Sequence, residues 1–332
     1  MRLAAAIFTL LTLPAFAQLP DAPHPGPAYP PPPPHVLTSA DHKRLDIPMF
    51  GDIGNARCDA SGDLFFDASS PFADDGPFLE VKADRERHLI FTLPQEENTP
   101  GNNLWTVTPD GTLYVLHDDF QRNKLVRFRS DGSVDGISSL VLPAHVSIQR
   151  MAISDSGVVF VSGYRYTQEE GAKTEPGFAA IFDADGNIIR DLSAGAPSYS
   201  TSGELSDGDL IAGDDGRFYV LGSDTVRVFN PSGEQAASLK ITKPSAKAIA
   251  ARIDEWQGSV SVLFYTEAKH KRGRAAPLSA STVVLNADSG DVSGIYTFDP
   301  ALTNSVLCYN HAGYTMESVD HRMMALDTVP LQ

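Results

Sequence analysis

Cysteine is nearly missing from this 332-residue chain, which has only Cys58 and Cys308. That excludes a disulfide-dense miniature scaffold and any C-x-x-C redox or zinc pattern. Neither G-x-S-x-G nor H-E-x-x-H occurs, so nucleophile-elbow and zincin chemistry have no sequence support. Basic residues are few, 26 Lys and Arg against 42 Asp and Glu, for a net charge of −16. Nucleic-acid binding relies on Lys and Arg to neutralise phosphates, and this balance argues against it. Such a charge favours solubility and attracts cations or cationic ligands. Beyond the first residues no apolar run approaches the roughly 20 needed to span a bilayer, so membrane insertion is not expected.

The first residues are themselves informative. Arg2 supplies a positive start, Leu3 to Leu13 an apolar run, and Ala15-Phe16-Ala17 an A-x-A cleavage signal. Residues 1–17 therefore read as a secretory signal peptide, and the protein is expected to be exported, periplasmic or secreted. In Leu19–Pro34 nine of sixteen residues are proline, ending in the run Pro30–Pro34. Such text favours polyproline II, and 18–35 reads as a proline-rich spacer rather than a docking motif. Residues 36–332 read as one globular domain, expected to be a monomer.

Within that domain a unit of short strands recurs every roughly 40–50 residues, the signature of propeller blades. Its clearest text is a turn ending in glycine and leading into an aromatic strand. Examples are Pro109–Val115, Ser154–Val161 and Gly213–Leu221. First strands with their turns are expected at 55–62, 104–111, 150–157, 209–216, 249–258 and 306–313. Second strands follow each turn, and third and fourth strands follow in most units, as at Thr225–Phe229 and Gln235–Ile241. A four-stranded sheet cannot bury both faces alone, whereas sheets packed radially bury them between neighbours. The expected fold is all-β: a six-bladed β-propeller of four-stranded antiparallel blades. The last unit has text for three strands, and an N-terminal strand around His42–Pro48 is expected to close it. Cys58 and Cys308 fall in the innermost strands of the first and last blades, which become neighbours on ring closure. They are either a disulfide or two buried thiols, with the disulfide favoured.

The repeated x-D-G-x-hydrophobic-Tyr/Phe-Val text and the F-D/N-x-x-G of the second turns resemble those of NHL and SMP-30/gluconolactonase-like propellers. Streptogramin-lyase-like proteins belong to the same superfamily. The resemblance covers about 280 residues and implies the propeller fold. It also implies, as an alternative function, a metal-dependent hydrolase, lactonase or lyase with one divalent cation in the channel. In the lactonases that cation is held by Glu, Asn and Asp from separate blades. Here the first inner strand reads Asn55-Ala-Arg-Cys58, without a Glu. The lyase pattern of late His and Glu finds only Asn310-His311 and Glu317-Ser-Val-Asp320-His321.

The primary expectation is a non-enzymatic binding module without a cofactor, recognising a small-molecule, glycan or protein ligand through its loop-rich face. The longest second-to-third-strand loops carry Tyr164, Arg165 and Tyr166 in one blade. In another they carry Lys269, His270, Lys271, Arg272 and Arg274, an odd basic run in an acidic chain. Arg150 and Arg252, near the starts of inner strands, are expected to reach the channel mouth. Arginine offers bidentate geometry to carboxylates, which suits an anionic or glycan ligand.

Overall fold

The computed structural model describes residues 35–37, 41–45, 56–67, 78–84, 88–93, 102–118, 123–165, 177–193, 208–266, 279–299, 306–309, 312–320 and 323–330. Residues 1–34, where a signal peptide and a proline-rich spacer are expected, Tyr166 and the basic run 269–274 lie outside them. All described residues belong to one compact unit, Pro31–Gln332.

Two short strands come first, β1 (His35–Leu37) and β2 (Asp41–Leu45). Blade one follows as β3 (Ala56–Cys58), β4 (Leu64–Asp67), β5 (Phe78–Val81) and β6 (His88–Phe91). Blade two is β7 (Asn102–Val107), β8 (Leu113–Asp118), β9 (Asn123–Phe128) and β10 (Val134–Ser139). Blade three is β11 (Val146–Ile153), β12 (Val159–Arg165), β13 (Gly177–Phe182) and β14 (Ile188–Asp191). Blade four is β15 (Leu210–Ala212), β16 (Phe218–Leu221), β17 (Thr225–Phe229) and β18 (Gln235–Lys240). Blade five holds β19 (Ile249–Trp256), β20 (Ser259–Thr266), β21 (Ser279–Asn286) and β22 (Val292–Phe298). A closing sheet contains β23 (Val306–Tyr309), β24 (Ala312–Asp320) and β25 (Met323–Pro330).

The expectation of six four-stranded antiparallel blades is corrected: among the described residues five sheets are of that kind, not six. The sheet of β19–β22 has five strands, because β1 adds to its outer edge in parallel, with His35 opposite Tyr296 and Leu37 opposite Phe298. The reason is local. Chain leaving a proline run is already extended, and an outer strand presents unpaired backbone groups that such a segment satisfies. β2 then pairs antiparallel with β25, so the N-terminal segment serves two successive sheets. The last hairpin also differs from its expected form. β23 ends at Tyr309, and Gly313, expected to close the turn, lies inside β24.

The core lies between sheets, as alternating side chains demand. β13 is buried along its whole length: Phe178, Ala180 and Phe182 face blade two, while Ala179 and Ile181 face blade four. Phe160 meets Phe218 and Phe229 edge-on, each pair with ring centroids 5.6 Å apart. Burying each such ring stabilises the fold by about 1.5–3 kcal/mol. Strand β12 passes so close to β11 that a Cβ on Gly163 would sit 1.9 Å from the Ser147 carbonyl oxygen. Only glycine fits there. Successive inner strands touch, β3 with β7, β7 with β11, β11 with β15 and β15 with β19, and β23 lies beside β3. The two ends of the propeller therefore meet at the strands bearing Cys58 and Cys308. Among the described residues no cysteine is a free thiol.

Candidate functional site in the central channel

Inner strands point alternate side chains at the channel, and two of them place opposite charges at one depth. Arg57 on β3 reaches Asp209, just before β15, although β7 and β11 stand between those strands around the ring. The contact is a two-point fork: Nη1 donates to Oδ2 at 2.9 Å and Nη2 to Oδ1 at 2.5 Å. Asp209 also accepts the Ile253 amide at 3.1 Å and the Leu210 amide at 3.0 Å. Burial alone would push the Asp209 carboxyl up, but the Arg57 charge and these hydrogen bonds hold it below the ordinary range. Burial likewise opposes the Arg57 charge, yet Asp209 raises its pKa above the usual arginine value. Charge-assisted two-point pairs of this kind are the strong ones.

Arg252 joins the cluster from β19, donating to the Ala56 carbonyl at 3.3 Å. Burial lowers its pKa, the neighbouring Arg57 lowers it further, and Asp209 and Asp254 pull the other way. Strand β19 shifts register between Ala250 and Arg252, as β11 does between Ile148 and Arg150. A bulge re-aims the residue that follows it, which places both arginines directly after a kink in their inner strands.

Towards the turns after the inner strands the channel ends in a small cavity of about 30 Å³. Arg57, Asp59, Asp254 and Glu255 are among its walls. That is room for about one or two waters. The carboxylates around it act mainly on neighbouring backbone. Glu255 accepts the Asp214 amide at 2.8 Å, and Asp214 returns the contact by accepting the Gln257 amide at 3.0 Å. Outside those walls, on the turn after β11, Asp155 likewise accepts the Asp110 amide at 3.1 Å. Asp59 accepts the amides of Ser61 and Asp63, each at 2.9 Å. Burial pushes Glu255 up to about 7; the Gly258 and Asp214 amides oppose this and the charges of Asp214 and Asp215 add to it. Burial pushes Asp59 up to about 6, against the pull of the Asp63 and Ser61 amides.

The sequence-predicted residues divide. Arg252 is in the channel cluster. Arg150 is half-buried on β11, its Nη1 donating to the Gln149 carbonyl at 2.8 Å. Tyr164 is half-buried near the end of β12. Arg165 is tied down within its own blade, donating to Asp191 at 2.8 Å and Ser193 at 3.2 Å and lying 5.2 Å over the Phe178 ring. Tyr166, Lys269, His270, Lys271, Arg272 and Arg274 lie outside the described residues. Sequence reasoning passed over Arg57, Asp209, Asp254 and Glu255. A charged residue inside an otherwise apolar inner strand was the available signal, and Arg57 beside Cys58 carried it. The partners of those residues are far away in sequence.

No family model matches the chain, and no curated protein matches it. Among solved structures it resembles a DUF4221 family member from Bacteroides vulgatus. The identity is 10%, the TM-score 0.61, and the match covers 89% of this chain and 98% of that one. A calcium-binding protein, regucalcin, from Agrobacterium tumefaciens matches at 13% identity and TM-score 0.48, over 90% of this chain and 96% of that one. A gluconolactonase from Xanthomonas campestris matches at 14% identity and TM-score 0.38, over 63% and 68%. At these identities the likeness establishes the propeller fold and nothing finer.

Two outcomes follow from the charges. Replacing Asp209 by Asn leaves the Arg57 guanidinium buried without its counter-charge and is expected to cost about 3–5 kcal/mol in denaturant unfolding. For pH, Glu255 and Asp59 have folded pKa values above their ordinary 4.5 and 3.8, so the folded state binds the extra protons. Stability should therefore rise as pH falls from about 7 to about 4. Asp209 has the opposite sign, and its contribution is lost as pH falls below about 3.8 towards its depressed value. Calorimetry across pH should show a maximum in mildly acidic buffer, and Glu255→Gln should flatten the upper limb.

Proposed function

We propose that the protein is an exported binding module that recognises its ligand through the face opposite the inner-strand turns. The observation that carries this reading is the state of the channel. Asp209, the carboxylate best placed to hold a cation on the axis, is already saturated by the Arg57 fork and two backbone amides. A divalent cation there would also sit beside the Arg57 and Arg252 guanidiniums, a like-charge arrangement that buried surroundings make costly. Ligand recognition then falls to the segments that follow β12 and β20 in the sequence, which carry Tyr166 and the basic run 269–274. Loops on a rigid scaffold are the usual place for such residues. The basic run suits an anionic ligand such as an acidic polysaccharide. The competing reading, a metal-dependent hydrolase or lactonase, rests on the resemblance of the repeats.

Replacing Lys269, His270, Lys271, Arg272 and Arg274 by Ser and Gln should abolish retention on an acidic polysaccharide such as polygalacturonate. The unfolding temperature should stay nearly unchanged, since surface substitutions of this kind stay within about 0.5 kcal/mol. Undiminished retention would reject the loop-face assignment. Elemental analysis of purified protein separates the competitor, because a stoichiometric divalent cation would favour the hydrolase.

We also propose that Cys58 is bridged to Cys308. It is supported by the adjacency of β3 and β23 and by the absence of a free thiol among the described residues. Closing a loop of about 250 residues would stabilise the fold by about 5 kcal/mol on a chain-entropy model. Non-reducing peptide mapping should recover the two cysteines in one linked fragment, and reduction should lower the unfolding temperature.

A further inference from the structure

Outside the inner strands, a cavity of about 310 Å³ lies between blades two and three. A missing side chain leaves part of it open. Gly136 on β10 lies just after a register shift, opposite Arg127 on β9, and a Cβ built on it meets no atom within 4 Å. One wall is blade two, with the buried Leu125 as an apolar floor and the half-buried Tyr114 beside it. The other wall is blade three, with Asp155 and Ser156 from the turn after β11 and Ala184 from the turn after β13. Ile137, 49% exposed, forms part of the lip, so the cavity opens to solvent. The volume falls at the lower end of the range for small-molecule sites.

The polar groups narrow the ligand class. Arg127 bonds Tyr114 and Asp135, yet its side chain stays half exposed, and a guanidinium has five N–H donors, more than those two partners use. Asp135 is shared between Arg127 and Arg129, and Asp155 adds a second carboxylate on the facing wall, so two cations stand against two anions. An anion would meet Asp155 and a cation would meet Arg127, so neither is favoured. A neutral molecule with an apolar face for Leu125 and the Tyr114 ring, and hydroxyls at its rim for the guanidinium and carboxylate, meets every group. We propose that the cleft between blades two and three binds a neutral pyranose. This site is separate from the loop face and does not depend on that reading.

For a ligand of this size a dissociation constant of about 1–10 mM is expected. The probes are methyl glucoside, methyl galactoside and N-acetylglucosamine, titrated by ligand-observed NMR against the full exported protein. Saturable binding of at least one is expected. Gly136→Leu fills the open space and should weaken binding at least tenfold without lowering the unfolding temperature. Tyr114→Phe keeps the packing, removes one hydrogen-bonding group and should weaken binding several-fold. No saturable binding of any probe up to about 50 mM would overturn the proposal, as would binding unchanged in both variants.

Discussion

The Arg57 guanidinium and the Asp209 carboxylate come from inner strands separated by two others, so their contact closes the channel crosswise. Inter-blade apolar packing holds each sheet to its immediate neighbours. It does not fix the diameter of the ring, because each interface can tilt slightly without losing much area. A two-point ion pair between facing strands does fix it. Both groups are desolvated, so each depends on the other. Two backbone amides complete the carboxylate and make the arrangement rigid as well as neutral.

That constraint also bears on chemistry. A propeller channel lined by free carboxylates can gather a cation, whereas this one spends its central carboxylate on an internal partner. Arg252 sharpens the contrast, because a second guanidinium at the same depth leaves positive charge beside the axis. The bulge before Arg252 shows that its position was reached by distorting an inner strand rather than by default geometry.

The blade text was legible because each unit reports its own local physics. The turn glycines Gly62, Gly111, Gly157, Gly216 and Gly258 all adopt positive φ, which is why a short Asp- or Asn-bearing turn with glycine recurs at each hairpin. Strands buried on both faces, such as Phe178–Phe182, read as unbroken apolar runs. What local text could not show was pairing between distant segments. His35–Leu37 looks like the tail of a proline spacer, and only the open edge of β22 makes it a strand. The same holds for the site. Arg57 and Asp209 are 152 positions apart, and nothing near either one announces the other.

The acidic composition takes on a more definite meaning once the turns are in view. Asp59, Asp155, Asp214 and Glu255 are not simply a solvated negative surface, because each accepts hydrogen bonds from backbone amides of its own turn or of a neighbouring blade's turn. Glycine-bearing tight turns leave amides unpaired at the channel mouth, and short acidic side chains are the groups that reach them. Burial of Glu255 is the main cause of its upward displacement, and the repulsion of Asp214 and Asp215, crowded on the same rim, adds to it. The turn face thus uses its carboxylates to stitch neighbouring blades together. β20 ends at Thr266, at the end of blade five opposite its Gly258 turn, so the stitched carboxylate rim and the end from which the basic sequence departs are different faces of the blade.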